Sequence, residues 1–305
     1  LRPARLHMGK IVVSTLTWQT VEHYGHALRK QKCQYFDRNL SNGTVSNCLS
    51  VFGRMISYAV RRGYAARNVV PDARTELGAL PQKPIKTFSQ VEMQALTAAA
   101  RDRPLKRARR AHAMMLTVLY LGAMCGMRRG EIFALRWEAI DFVAKTIAIT
   151  RSLTDSDELK GPKTEAGVRT IPLPDAAADA LRKWRAFIVE DDRGLIFRTD
   201  KGKHFSGANF YDGYWYPLLR RAGMPGVKGA HRRFHATRHF AGSHWLAVGV
   251  PLPEVSRLLG HADMAITARI YSHAVGEVHH QASAMNRCAE ALAPLPVTQG
   301  LRIAA

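Results

Sequence analysis

The sequence predicts a mainly helical chain with a small antiparallel β-sheet, an α+β fold in two domains. Three observations carry this. Apolar residues recur at helical spacing along most of the chain. Two strand-like runs, Ile147-Ala148-Ile149 and Val168-Arg169-Thr170-Ile171, flank a polar segment containing Gly161, Pro162 and Gly167. A stretch with Gly78, Pro81, Pro84 and several charges separates a small helical N-terminal part from a larger remainder.

In chain order, Trp18, Val21, Tyr24 and Leu28 give the stripe of a first helix. Val45, Leu49, Phe52, Ile56 and Ala59 alternate steps of four and three, the mark of a second helix over Thr44 to Arg62. Gly63 is placed to end it, and Pro71 to stop the segment that follows. Lysines and arginines (Arg29, Lys30, Lys32, Arg38, Arg54, Arg61, Arg62) line the other faces, and residues 72–87 read as a linker. Ser89-Gln90-Val91-Glu92 has the capping-box pattern, serine bonding forward and glutamate reaching back, and opens a helix to about Ala100. The basic run from Arg101 to Arg110, broken by Pro104, is either a solvated loop or a contact with a nucleic-acid backbone. His112 to Cys125 is apolar enough for a buried helix, and the two strands form a hairpin with Lys163 near its tip. From Ser206 the pattern is helical again, at about 206–222, 235–248, 253–259 and 264–274.

Composition narrows the function. A formal net charge of +21 on 305 residues calls for a polyanionic partner, nucleic acid first among them, although charge alone does not separate DNA from RNA or an anionic membrane surface. No apolar run approaches the roughly 18 residues of a membrane helix, and the basic start, Leu1-Arg2-Pro3-Ala4-Arg5, lacks the apolar segment of a signal peptide. Cys33, Cys48, Cys125 and Cys288 lie far apart with no Cys-x-x-Cys pair. They read as buried or neutral thiols in a reducing cytoplasm.

The last third carries the chemistry. His235-Ala-Thr-Arg238-His239 precedes Leu258-Leu259-Gly260-His261 and then Tyr271. His235 and Arg238, three residues apart, share a helix face and can address one phosphate. Arg128, in Gly126-Met127-Arg128-Arg129-Gly130-Glu131, offers a second guanidinium fork from another direction. His261 follows a glycine that ends a short helix. Singly, His235 reads as a helix-face histidine, Arg128 as half of a salt bridge with Glu131, Lys163 as an exposed turn lysine and Tyr271 as core. Together they are a set suited to a phosphodiester.

The order Arg128, Lys163, His235-x-x-Arg238, Gly260-His261, Tyr271 resembles the active site of the tyrosine recombinases, the phage-integrase family of DNA strand-exchange enzymes. The resemblance implies Tyr271 as nucleophile, Arg128, His235, Arg238 and His261 around the phosphate, and Lys163 as general acid for the departing 5′ oxygen. Glu131 is implied as support for Arg128. It further implies a 3′-phosphotyrosyl intermediate, no cofactor (neither metal nor ATP), double-stranded attachment-site DNA as partner and four protomers on two sites. A DNA-bending host factor and a directionality factor are implied as further partners. The domains expected on this basis are a remnant of a truncated arm region over 1–9, a helical core-binding domain over 10–78, a linker over 79–87, a catalytic domain over 88–285 and a tail over 286–305, with a short helix around Ala282 to Leu292. Thr237 departs from the family pattern, standing where leucine is usual.

Rival readings are a catalytically inactive DNA-binding protein of the same fold and a type IB topoisomerase-like enzyme. Metal-dependent hydrolysis would need converging carboxylates. Asp155, Asp157 and Glu158, and Asp191 and Asp192, fall instead in polar, turn-like stretches. His235 and His239 are four apart but lack the glutamate of a His-Glu-x-x-His site.

Overall fold

A computed structural model describes residues 2–33, 36–81, 87–101, 109–154, 158–161, 167–188, 194–199, 204–225 and 233–275. Lys163, Asp155, Asp157, Asp191, Asp192, Cys288 and everything after Val275 lie outside these residues, as does most of the basic run after Arg101. The chain divides into two compact units, Leu1–Ile85 and Lys86–Ala305.

The first unit is built from α1 (Arg2–Met8), α2 (Trp18–Lys30), α3 (Asn42–Arg61) and α4 (Val70–Glu76), with a two-stranded ribbon, β1 (Lys32–Cys33) and β2 (Phe36–Asn39). Thr17 and Ser41 cap α2 and α3 by accepting from the amides of Thr20 and Thr44. The α2 and α3 stripes fill the core, and Gly63, at φ 76°, ends α3 as expected. Two expectations change. Residues 2–8, set outside the helical domain by the sequence reading, form α1, whose Ala4 and Met8 are buried in this core. Pro71 starts a helix instead of stopping one, because proline suits the first turn, where its missing N–H costs nothing. Val70, Ala73 and Leu77 then bury one side of α4. The boundaries expected at 10 and 78 thus fall inside the unit, and the helical part of the supposed linker belongs to its core.

In the second unit, α5 (Gln90–Arg101) begins with the anticipated capping box: Ser89 N–H donates to Glu92 Oε2 at 2.8 Å and Glu92 N–H to Ser89 Oγ at 3.2 Å. Next come the buried helix α6 (Arg109–Ala123) and a single-turn helix α7 (Arg129–Phe133). The sheet pairs β3 (Ile140–Asp141), β4 (Thr146–Ile149) and β7 (Arg169–Pro172) in that order. Ile147 faces Ile171 and Ile149 faces Arg169 across the antiparallel β4–β7 pair, the hairpin read from sequence. A ribbon of β5 (Ser152–Leu153) and β6 (Leu159–Lys160) lies between them in sequence.

Helix α8 (Asp175–Arg185), not foreseen, buries Ala177, Ala178, Leu181 and Trp184 and packs mainly on α6. The helix expected at 206–222 is interrupted: α9 (Gly207–Phe210) and α10 (Tyr216–Arg221) are joined by a π turn over Tyr211–Trp215. Last come α11 (His235–Ala247), α12 (Leu252–Leu259) and α13 (Met264–Val275), at the places the periodicity gave. Cys125 is buried, which pushes its thiol up to about 12, and burial also raises half-buried Cys48.

Candidate active site

The end of α12 organises the site. A helix C-terminus presents carbonyls without intrahelical partners and carries partial negative charge. Here three consecutive carbonyls each accept from a different arginine. Leu258 O takes Arg169 Nε at 2.7 Å, Leu259 O takes Arg238 Nη2, and Gly260 O takes Arg128 Nη2 at 3.1 Å. Gly260 adopts φ 64°, ψ 50°, the left-handed conformation glycine enters without steric cost. Its N–H donates to Arg257 O and that of His261 to Ser256 O, closing a Schellman turn that fixes His261 beside those carbonyls.

Arg128 is the N-cap of α7. Its backbone N–H donates to Glu131 Oε2 at 2.8 Å and its Nη1 to Oε1 at 2.7 Å, so the salt bridge anticipated from sequence is present. Gly130 brings α7 onto β5, where a side chain would collide with Leu153 O. Glu131 also accepts two bonds from Arg169. Its burial would raise the carboxyl, but the bonds and charge of Arg169, with Arg238 and Arg128 beyond, outweigh this and hold it at about 2.

Arg238 is 1% exposed, and its Nη1 donates to Gly126 O at 2.7 Å. Gly126, at φ 63°, lies in the loop joining α6 to α7. Burial first, then Arg128, lowers this guanidinium to about 9, still charged at neutral pH. The departure at Thr237 has a local reason. That side chain is wholly buried, bonds Phe234 O at 2.8 Å, and faces Gly122 of α6, where a Cβ would sit 2.5 Å from its hydroxyl.

Tyr271, 1% exposed, packs with Val255 and Leu259. Burial pushes its phenol up to about 12 against the opposing pull of Arg238 and Arg128. Its hydroxyl lies 3.3 Å from Nδ1 of His239. His235 keeps an exposed edge and meets the His239 ring edge-on, 4.7 Å between centroids. His261 Nδ1 is 2.7 Å from Thr267 Oγ1, leaving Nε2 for another partner. Burial foremost and neighbouring cations next hold these rings neutral, His235 at about 3, His239 and His261 at about 4.

Of the residues singled out from sequence, Arg128, Glu131, His235, Arg238, His261 and Tyr271 therefore gather in one place, and Lys163 lies outside the described residues. Three partners went unassigned. Arg169 had a signal: two residues before Ile171 on β7, it shares that residue's face, so a charged residue occupies an inward register. His239 had one too, a single turn beyond His235 on α11. Thr267 had none. Among the described residues no group of three or more histidines, cysteines or carboxylates is placed to hold a metal ion. No helix among them is long and apolar enough to cross a membrane.

Three guanidiniums, neutral imidazoles and a phenol thus converge on one helix end, a concentration of positive charge suited to an anion. The chain belongs to the phage integrase family, which residues 86–277 match. It is similar to a XerC-like tyrosine recombinase of Caldanaerobacter subterraneus subsp. tengcongensis, 29% identical over 275 residues, covering 79% of this chain and 66% of that protein. It is also similar to tyrosine recombinase XerC of Alcanivorax borkumensis, 26% identical over 268 residues, covering 87% and 79%. In fold it resembles the Tn1549 transposon integrase in complex with circular intermediate DNA (TM-score 0.71, 17% identity, 94% of this chain and 91% of that one). A lambda integrase dimer bound to a core site shares the fold (TM-score 0.62, 15% identity, 88% and 84%).

Proposed function

We propose that this protein is a site-specific tyrosine recombinase that cleaves and rejoins double-stranded DNA through a 3′-phosphotyrosyl intermediate, integrating or excising a mobile element such as a prophage. The observation that carries it is the convergence of Arg128 and Arg238 on adjacent carbonyls of the turn that leads to His261, with Tyr271 within reach of both charges. Tyr271 attacks the phosphorus. Arg128 and Arg238 neutralise charge on the non-bridging oxygens, each such donor being worth about 2.7–4 kcal/mol. His235 and His261 donate to the same phosphate, Glu131 orients Arg128, and Lys163 protonates the departing 5′ oxygen. The ester energy is kept in the phosphotyrosyl bond, so neither ATP nor a metal cofactor is needed.

The unit over Leu1–Ile85, with its basic helix faces, acts as the core-binding domain and the larger unit as the catalytic domain. Their phosphate contacts give DNA affinity a steep salt dependence. Four protomers assemble on two sites in the bacterial cytoplasm, aided by a DNA-bending host factor and a directionality factor.

A duplex nicked close to the cleavage position tests this. The wild type should trap a covalent adduct in EDTA, and Tyr271→Phe should trap none. Binding without an adduct favours the inactive DNA-binding reading. Relaxation of supercoils without exchange between two sites favours a topoisomerase.

A further inference from the structure

We propose that His239, outside the catalytic set named above, accepts the phenol proton of Tyr271 as strand cleavage begins and returns it on religation. The inference rests on the assignment of Tyr271 as nucleophile. Positions 239 and 242 lie three apart on α11 and share a face. Gly242 seats the Tyr271 ring, since a Cβ there would stand 2.6 Å from Cζ, and His239 meets the oxygen of that ring at 3.3 Å. That separation is typical of a catalytic hydrogen bond before substrate tightens it. His235, by contrast, touches the His239 ring rather than the phenol.

The surroundings suit a transient acceptor. Burial and Arg238 hold His239 neutral, and in the tautomer with the ring proton on Nε2 its Nδ1 offers a lone pair to the phenol. The charged or titratable groups that act on it are Arg238 and His235 on its own helix, His261 after α12, and Tyr271. A proton taken up beside the Arg238 guanidinium is readily given back. In the step itself the Oη–P bond forms and the bond from phosphorus to the 5′ oxygen breaks. The phenol proton moves to Nδ1, and the leaving oxygen takes its proton from the general acid. Religation runs each transfer backwards.

Single-turnover trapping on the nicked duplex tests the role in the full chain. His239→Asn keeps a hydrogen-bonding atom near Nδ1 but cannot take a proton. Adduct formation should fall about 100- to 10,000-fold, with DNA binding and thermal midpoint unchanged. A fluorinated, more acidic tyrosine at 271 should restore the variant's rate while changing the wild type little, a rescue that a purely structural role would not give. His239→Gln serves the same purpose if the asparagine variant does not fold. Cleavage by either variant at the wild-type rate, or a loss that fluorination leaves untouched, overturns the proposal with the nucleophile assignment intact. No adduct from the wild type overturns both.

Discussion

Arg169 and Glu131 meet through two parallel hydrogen bonds, Nη2 to Oε2 at 2.9 Å and Nη1 to Oε1 at 3.1 Å, with both side chains about 95% buried. The remaining nitrogen of Arg169, Nε, donates to Leu258 O. One guanidinium thus ties strand β7 to α7, which carries Arg128, and to the end of α12, which carries His261. Removing one partner of such a buried pair strands the other, at a cost of about 3–5 kcal/mol. Arg169→Met should lose stability of that size in urea denaturation. Arg169→Lys should lose much of it too, because an ammonium cannot reproduce the two-pronged geometry. A loss under about 1 kcal/mol, the range of an exposed ion pair, would show that the pair does not hold the site together.

Acid should loosen the fold in two windows. Glu131 is depressed from 4.5 to about 2, so its stabilising contribution is full above the unfolded value and disappears as pH falls from 4.5 towards 2. His239 and His261 are depressed from 6.5 to about 4. The unfolded chain binds their protons first, so acidification from 6.5 towards 4 also favours unfolding. Thermal midpoints should decline from about pH 6.5 downwards, less steeply for His239→Asn in the upper window and for Glu131→Gln in the lower. A midpoint constant between pH 6.5 and 4 would contradict neutral, half-buried rings.

Gly242→Ala should separate binding from cleavage. Alanine favours a helix over glycine by about 1 kcal/mol, yet its Cβ would stand 2.8 Å from the Tyr271 hydroxyl oxygen. The ring must then leave its seat, an overpacking cost of about 1–3 kcal/mol. DNA affinity in a mobility-shift assay should persist while adduct yield drops. Gly213→Ala, with nothing within 4 Å of the added carbon, is the control and should change neither.

Gly260→Ala forces a side chain into the left-handed region at φ 64°. The penalty is about 1–2 kcal/mol, visible as a lower denaturation midpoint. If the chain relaxes instead, the turn opens and the carbonyls that hold Arg128 and Arg238 shift. Adduct yield should then fall further than the stability loss accounts for.

Much of this was legible in sequence where the cause is local. The capping box at Ser89, the helical spacing of α3 up to Gly63 and the glycine turn before His261 each depend on residues a few positions apart, and each strand of the β4–β7 pair shows its own short apolar run. Local signals misled where the same residue serves two purposes: Pro71 breaks helices in their interior but starts them well. Helix α8 went unread although Ala177, Ala178, Leu181 and Trp184 share one buried face opposite its charged residues.

By itself, the sequence determined the α+β class, the places of α11, α12 and α13, and the order of the arginine, histidine and tyrosine positions, since periodicity and turn chemistry are written in neighbouring residues. Tertiary structure alone decided that arginines 128, 169 and 238 share the end of one helix, that Glu131 answers two of them, and that the phenol rests on Gly242 beside His239. A buried charge takes its partners from whatever packing brings within about 3 Å, and packing joins residues more than a hundred positions apart.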